Sequence, residues 1–220
     1  MRLLAVSDFH SSMSAVRLAV ARGVAEAVNA IAVCGDITHF GGMKEARDIL
    51  RILTGSGVPV LFVPGNCDPP SLGDQDEIEG ALCLHGRAVE MEVFRFVGVG
   101  GGPPSPFSTP FEIVEKELLS VLNRAIQKVN PARRLVVLSH APPRASRVDL
   151  TLAGINVGSV SLRRFILENH PIGVLCGHIH EARGSERVNG CEVVNVGAAR
   201  QGYCAVVDVD ERFIVKLSSL

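Results

Sequence analysis

The chain has 220 residues, 47% of them apolar and 20% charged, with a formal net charge of −1 and a pI near 6.7. One domain spanning 1–220 with a large core is expected at that length, and the near-neutral balance argues against an obligate nucleic-acid partner, which would need a basic surface. The first residues enter an apolar strand pattern with no charged leader or cleavage site, and no apolar run approaches a membrane span, so neither a signal peptide nor a membrane anchor is expected.

In chain order, Leu3-Leu4-Ala5-Val6 reads as a buried strand that runs into Ser7-Asp8-Phe9-His10. Val16, Ala19, Val20, Gly23, Val24, Ala27 and Val28 then form the stripe of a 3.6-period helix. A second strand, Ala30-Ile31-Ala32-Val33, delivers Cys34-Gly35-Asp36. Gly41-Gly42 opens a helix carrying Ala46, Ile49, Leu50 and Leu53, stopped by Gly55 and Gly57. A third strand, Val58 to Val63, ends in Pro64-Gly65-Asn66-Cys67-Asp68. Successive motifs lie about thirty residues apart, the length of a βαβ crossover.

Residues 69–80 are acidic and punctuated by Gly and Pro, a loop with a short helix, and 81–100 read as β-structure with turns near Gly86 and Gly98. The Pro/Gly/Ser/Thr segment from Gly100 to Pro110 is turn-rich. Phe111, Val114, Leu118, Leu122, Ala125 and Val129 mark a long amphipathic helix. Leu135-Val136-Val137-Leu138 leads to Ser139-His140, and 141–158 form a long loop before a helix capped by Ser159 or Ser161. Ile172-Gly173-Val174-Leu175 reaches Cys176-Gly177-His178-Ile179-His180, and 182–217 alternate strand and turn to give three strands.

Five buried-strand patterns thus carry two Asp, one Asn and four His to strand carboxyl ends, the edge where open α/β sheets form ligand sites. These side chains hold divalent cations, and a carboxylate between two cations can bridge them while imidazoles and an amide oxygen complete each shell. Paired metals suit in-line displacement at phosphorus. The six cysteines include no CxxC pair and five lie in or beside apolar runs, so reduced thiols and a cytoplasmic location are expected. Other chemistries fail: Pro103-Pro104 follows Gly98-Val99-Gly100-Gly101-Gly102 where a dinucleotide loop needs a helix N-terminus, and neither a P-loop nor GxSxG occurs.

Asp8-Phe9-His10, Gly35-Asp36, Gly65-Asn66-Cys67-Asp68, His140 and Gly177-His178-Ile179-His180 together resemble the calcineurin-like metallophosphoesterase family, and especially its small bacterial and archaeal members. The resemblance implies a four-layer α/β/β/α sandwich of two mixed sheets with a dinuclear site at one edge. It implies that Asp8, His10, Asp36 and His180 hold one metal and that Asp36, Asn66, His140 and His178 hold the other, with Asp36 bridging. The cations it implies are manganese, iron, zinc or nickel, manganese first among them. Catalysis is then expected at Asp36, Asn66, Cys67, Asp68 and His140, through in-line attack on phosphorus by a bridging hydroxide.

Where many members carry His, this chain has Cys67. A thiol brings no positive charge and donates only weakly, a loss that weighs more on a dianionic monoester than on a monoanionic diester. A small phosphodiester is therefore the expected substrate. Arg144, as a bidentate phosphate clamp, and His39 are further substrate candidates, whereas His85 and His170 receive no role and Asn195-Val196-Gly197 reads as a turn. The alternatives are a phosphomonoesterase or protein phosphatase of the same fold, a repair nuclease, which the charge and length disfavour, and a non-catalytic protein-binding scaffold. No membrane partner is expected, and a homo-oligomer is left open.

Overall fold

The computed structural model describes residues 1–127, 131, 133–210 and 212–220. Its strands and helices run β1 (Arg2–Val6), α1 (Met13–Ala25), β2 (Ala30–Cys34), α2 (Met43–Thr54), β3 (Val60–Val63), β4 (Glu77–Ile78), β5 (Ala81–Cys83), β6 (Ala88–Met91) and β7 (Phe94–Val99). They continue with α3 (Glu115–Ile126), β8 (Arg134–Ser139), α4 (Val160–Asn169), β9 (Gly173–Cys176), β10 (Gly184–Val188), β11 (Cys191–Asn195), β12 (Tyr203–Val209) and β13 (Phe213–Ser219). One sheet has the order β13-β12-β1-β2-β3-β5-β4, the other β10-β11-β9-β8-β7-β6. Both are mixed: the central strands β1, β2, β3 and β5, and β7, β8, β9 and β11, run parallel, with antiparallel strands outside them.

The continuous apolar runs of β1, β2 and β3 are explained by burial on both faces. Leu4, Val6, Ile31, Val33 and Phe62 pack against Val16, Ala19, Ile49, Leu50 and Leu53 of α1 and α2. Their alternates Leu3, Ala5, Ala30, Ala32, Leu61 and Val63 face Phe94, Phe96, Val136, Leu138, Leu175 and Val194 of the second sheet. The far side of that sheet, through Val97, Val99, Val137 and Val174, packs on Leu118, Leu122, Leu162, Phe165 and Ile166 of α3 and α4. Three apolar interfaces separate four layers in the order α/β/β/α, as expected.

Local differences from the sequence reading have physical causes. Helix α1 ends at Ala25 and buries Ala15, Val16, Ala19 and Gly23, leaving Val24 on the solvent side and Ala27 beyond the helix with φ of 49°. Gly98 is not a turn but lies inside β7, where a Cβ would strike Val63 and Leu84, so its small size lets the two sheets approach. The chain reverses instead after Met91, with Glu92 at φ of 52°. Phe111 and Val114 precede α3 rather than lying in it, and Val129 falls outside the described residues. Of the two candidate caps, Ser159 caps α4 by accepting the Leu162 N–H at 3.0 Å. The tail holds four strands rather than three: β10 and β11 pair in the second sheet, then β12 crosses to lie beside β1 and pairs with β13. Among the described residues, no helix is long and apolar enough to cross a membrane.

Candidate metal centre

The loops leaving β1, β2, β3, β8 and β9 meet along one rim. The first two are laced by backbone hydrogen bonds, Asp8 N–H to Gly35 O at 3.0 Å, His10 N–H to Asp36 O at 2.9 Å and Ser11 N–H to Ile37 O at 3.1 Å. Asp8, His10, Asp36 and His178 all hold positive φ, between 44° and 71°. Such backbone is costly for L-residues and persists where surrounding structure over-determines it, as at functional sites. Two close approaches demand glycine: a Cβ on Gly65 would collide with the Asp36 carboxylate, and one on Gly177 with Ser7 and Asp8.

Asp36 is almost wholly buried and its carboxylate faces two ways. Oδ2 lies 3.5 Å from His10 Nε2 and Oδ1 lies 3.5 Å from His140 Nε2, while Oδ1 also accepts the Cys67 N–H at 2.8 Å. On one side His180 Nε2 stands 3.2 Å from Asp8 Oδ1 and 3.4 Å from His10 Nε2. On the other, Asn66 Oδ1 lies 2.7 Å from His140 Nε2, and the His178 ring centre is 4.8 Å from that of His140. The structure thereby brings together all seven residues that the sequence singled out as ligands.

Burial is the largest influence on these groups. It pushes Asp36 up to about 6, with Asp8 and Asp68 adding to the rise and His140 opposing it. It would raise Asp8 too, but His180 and His140 hold that carboxyl below its ordinary value. It lowers His178 to about 3 and His10 to about 4, the latter helped by the nearby Arg200. Burial would lower His140 too, but the charges of Asp36 and Asp8 hold it above its ordinary value, so the crowded donors are shifted in both directions.

Two observations fit this donor set to divalent cations. Asp8 Oδ1 is buried without an aligned hydrogen bond, an acceptor left open at the centre of the group. His140 Nδ1 lies 2.8 Å from the Cys34 carbonyl, which can only accept; that contact fixes a proton on Nδ1 and turns Nε2 toward Asn66 Oδ1 at 2.7 Å. A cation bound there would take Nε2 and Asn66 Oδ1 as adjacent ligand atoms. Asp8, His10 and His180, and likewise Asp8, Asp36 and His140, offer ligand atoms within 4.8 Å of one another.

The remaining expected residues divide. Asp68 lies behind the site rather than in it: it is fully buried, and its oxygens accept the N–H groups of Ile37, Thr38 and Gly65 and the Thr38 hydroxyl. Through these bonds it joins the loops after β2 and β3. Cys67 faces the site, accepting from Asn66 Nδ2 at 3.7 Å, and burial together with Asp36 pushes its thiol pKa far up. His39 is exposed with Nδ1 3.2 Å from His10 Nδ1. Arg144 stands exposed on the loop after β8, its backbone tied to Ser159 and Arg163.

Arg200 escaped the sequence reading, and Asn195, read there as part of a turn, is instead the last residue of β11. Arg200, in the short turn Ala199–Gln201 before β12, donates its N–H to Asp8 O at 3.3 Å and places a cation near enough to depress His10. Asn195 is a buried brace, its amide donating to Val148 O and Ile179 O at 3.1 and 2.8 Å. Both reach the rim by tertiary routes with no local motif to announce them.

Comparison with known proteins agrees with the geometry. A family model for calcineurin-like phosphoesterases matches residues 1–182. The uncharacterized protein MJ1162 of Methanocaldococcus jannaschii is 34% identical over 200 residues, 89% of this chain and 87% of its own. TT1561 of Thermus thermophilus superposes with a TM-score of 0.79 at 19% identity, covering 99% of this chain and 98% of that one. A dimetal phosphatase from Danio rerio gives a TM-score of 0.65 at 15% identity over 100% and 96% of the two chains. An archaeal phosphodiesterase gives 0.58 at 16% over 99% and 100%. At these identities the superpositions establish the fold, while the family match extends over the stretch that carries all seven residues. The chain belongs to the calcineurin-like phosphoesterase family.

Proposed function

We propose that this phosphoesterase hydrolyses a small phosphodiester at a dinuclear centre whose ligands are Asp8, His10, Asp36 and His180 on one side and Asp36, Asn66, His140 and His178 on the other. The observation that carries the reading is the two-faced Asp36 carboxylate, with one oxygen toward His10 and the other toward His140. Divalent cations held there, manganese being the first to try, would neutralise charge developing at phosphorus and acidify water. The protein's own contribution is preorganisation. The Cys34 carbonyl sets the His140 tautomer, the Cys67 N–H orients Asp36, and Arg200 lends positive charge beside the Asp8 loop.

The preference for a diester rests on Cys67. A thiol at this position offers a phosphoryl oxygen neither positive charge nor a strong donor, and a monoester dianion needs both more than a diester monoanion does. Six buried, unpaired cysteines support a reducing compartment such as the cytoplasm.

The test compares bis-p-nitrophenyl phosphate with p-nitrophenyl phosphate after chelation and after return of manganese, nickel or zinc, with Asp36→Asn as control. Diester turnover that requires metal and disappears in the variant is expected. Faster monoester turnover would retain the dinuclear enzyme and remove the diester preference. Turnover of neither ester with any metal would favour a binding scaffold on the same fold.

A further inference from the structure

The molecule has nine Phe, one Tyr and no Trp, so it has few aromatic rings to spare for its surface. Phe9, Phe62, Phe94, Phe96 and Phe165 are fully buried, whereas Phe40 and Phe107 stand 56% and 83% exposed. Both exposed rings lie on loops that leave strand carboxyl ends, Phe40 after β2 and Phe107 after β7, on the loop whose Gly102 abuts Asn66 and His178.

Phe40 is tied to the metal centre by an unbroken row of rings. Its centroid lies 4.9 Å from that of His39, His39 lies 5.1 Å from His10, and His10 lies 5.3 Å from His180, each pair edge to face. The Phe40 backbone is equally determined. Its N–H donates to Cys67 O at 3.1 Å, and its φ is 58°, a left-handed conformation that a bulky L-residue adopts only under constraint. An apolar ring is thus held in water, at an energetic cost in both backbone and solvation, beside the catalytic rim.

We infer that Phe40 is a stacking platform for a flat aromatic group on the phosphodiester, so that the preferred substrate class carries a nucleobase or comparable heterocycle attached to the scissile phosphate through a short linker. The inference rests on the phosphodiesterase reading above. A ring that is fixed in place loses little entropy when a planar group stacks on it, and stacking of this kind tolerates any base because every base has a π-face. An alkyl group of the same ester would find no such partner.

Thymidine 5′-(p-nitrophenyl phosphate) and methyl p-nitrophenyl phosphate share a leaving group and differ in the base, which makes them the probes. The wild type is expected to favour the thymidine ester, mainly through KM. Phe40→Ala and Phe40→Leu should each lower kcat/KM for the thymidine ester about tenfold more than for the methyl ester. Phe40→Trp and Phe40→Tyr should restore the ratio, and thermal melting of each variant reports whether it is folded. Inhibition by thymidine 5′-monophosphate should weaken in Phe40→Ala by a similar factor. An unchanged ratio, an equal loss on both esters, or a self-association abolished by Phe40→Ala with the ratio intact would overturn the platform while leaving the phosphodiesterase standing. Failure of the wild type to cleave either ester in the presence of metal would overturn both.

Discussion

Asp68 and Thr38 are joined twice: Asp68 Oδ1 accepts the Thr38 backbone N–H at 2.7 Å and the Thr38 hydroxyl at 2.8 Å. Its other oxygen takes the N–H groups of Gly65 and Ile37 at 2.7 and 3.1 Å. One carboxylate therefore holds the loop carrying Asp36 against the loop carrying Asn66 and Cys67. Asp68→Ala would leave three backbone donors and a hydroxyl buried without partners, a loss of about 3–5 kcal/mol given the cost of each unsatisfied group. Asp68→Asn keeps the shape but turns an NH₂ toward donors, and should also destabilise. Urea unfolding of both variants is the check. An Asp68→Asn protein as stable as the wild type yet inactive would return Asp68 to the catalytic groups.

The placement of Asp68 shows what was legible in the chain and what was not. Strands β1, β2, β3, β8 and β9 could be read because burial on both faces writes itself as short apolar runs, and Asp8, Asp36, Asn66, His140 and His178 follow those runs directly. Asp68 lies in the same motif as Asn66, and nothing local says that its side chain turns inward to backbone donors. Arg200 was invisible, and Asn195 misread as a turn, for the opposite reason, since both approach the rim from the β11–β12 region, whose crossing between sheets no local pattern encodes. Gly98 misled because glycine marks turns and close sheet contacts with the same letter.

Asp36 should reveal metal binding without any assay of activity. Its carboxyl is raised to about 6 by burial and by the charges of Asp8 and Asp68, so the native state binds this proton more tightly than the unfolded chain does. Its contribution to stability is accordingly lost as pH rises from about 3.8 through about 6. In chelator near neutral pH, Asp36→Asn should thus be at least as stable as the wild type, with the Asn oxygen still able to accept the Cys67 N–H. Manganese at a hundredfold excess over its dissociation constant should stabilise the wild type by about 2.7 kcal/mol and the variant by far less. Equal protection of both proteins in thermal melts would remove Asp36 from the ligand set.

His85 supplies a pH dependence separate from the metals. Its ring packs 5.3 Å from that of Phe111, Nδ1 accepts the Gly100 N–H at 3.0 Å, and burial together with Arg87 and Arg124 lowers its pKa to about 4. Between that value and the ordinary 6.5, the unfolded chain binds a proton that the native state refuses. The contribution is complete above about 6.5, declines as pH falls and levels off near 4, with a ceiling of about 3 kcal/mol. His10 and His178 are depressed in the same sense, so the informative quantity is the difference between proteins. In chelator, urea unfolding of His85→Gln, whose amide oxygen can still accept, should lose less stability than the wild type from about pH 7 to about pH 5. Parallel profiles would contradict the assignment.

Arg200 brings a cation to the rim beside His10, where it can meet a substrate phosphate. Its backbone is anchored to Asp8 O and its side chain is exposed, with a charge that already reaches His10. A guanidinium can offer two parallel donors to a phosphoryl group and an ammonium cannot. Arg200→Ala should raise KM for bis-p-nitrophenyl phosphate about 5- to 30-fold, in line with the loss of a charge-assisted hydrogen bond, and Arg200→Lys should recover part of it. A KM unaltered in both variants, with Arg144→Ala raising it instead, would move the clamp to the loop after β8.

Cys67 bears on which ester the enzyme prefers. Burial together with Asp36 pushes the thiol pKa up, its Sγ meets the Asn66 amide at 3.7 Å, and its backbone N–H holds the Asp36 carboxylate. Substitution leaves that backbone bond in place, so a side-chain effect can be read apart from a positional one. In Cys67→His an imidazole replaces the thiol beside the ligands and can donate to a phosphoryl oxygen or a departing alkoxide, which a monoester dianion needs most. The ratio of p-nitrophenyl phosphate to bis-p-nitrophenyl phosphate turnover should rise at least about tenfold, a modest demand on a single positioned donor. Cys67→Ser is the control, since it restores a hydroxyl donor without charge and should move the ratio only slightly. If Cys67→His retains its metals, shown by unchanged manganese protection in thermal melts, and the ratio stays at the wild-type value, the thiol only fills space and the proposed diester preference loses its support.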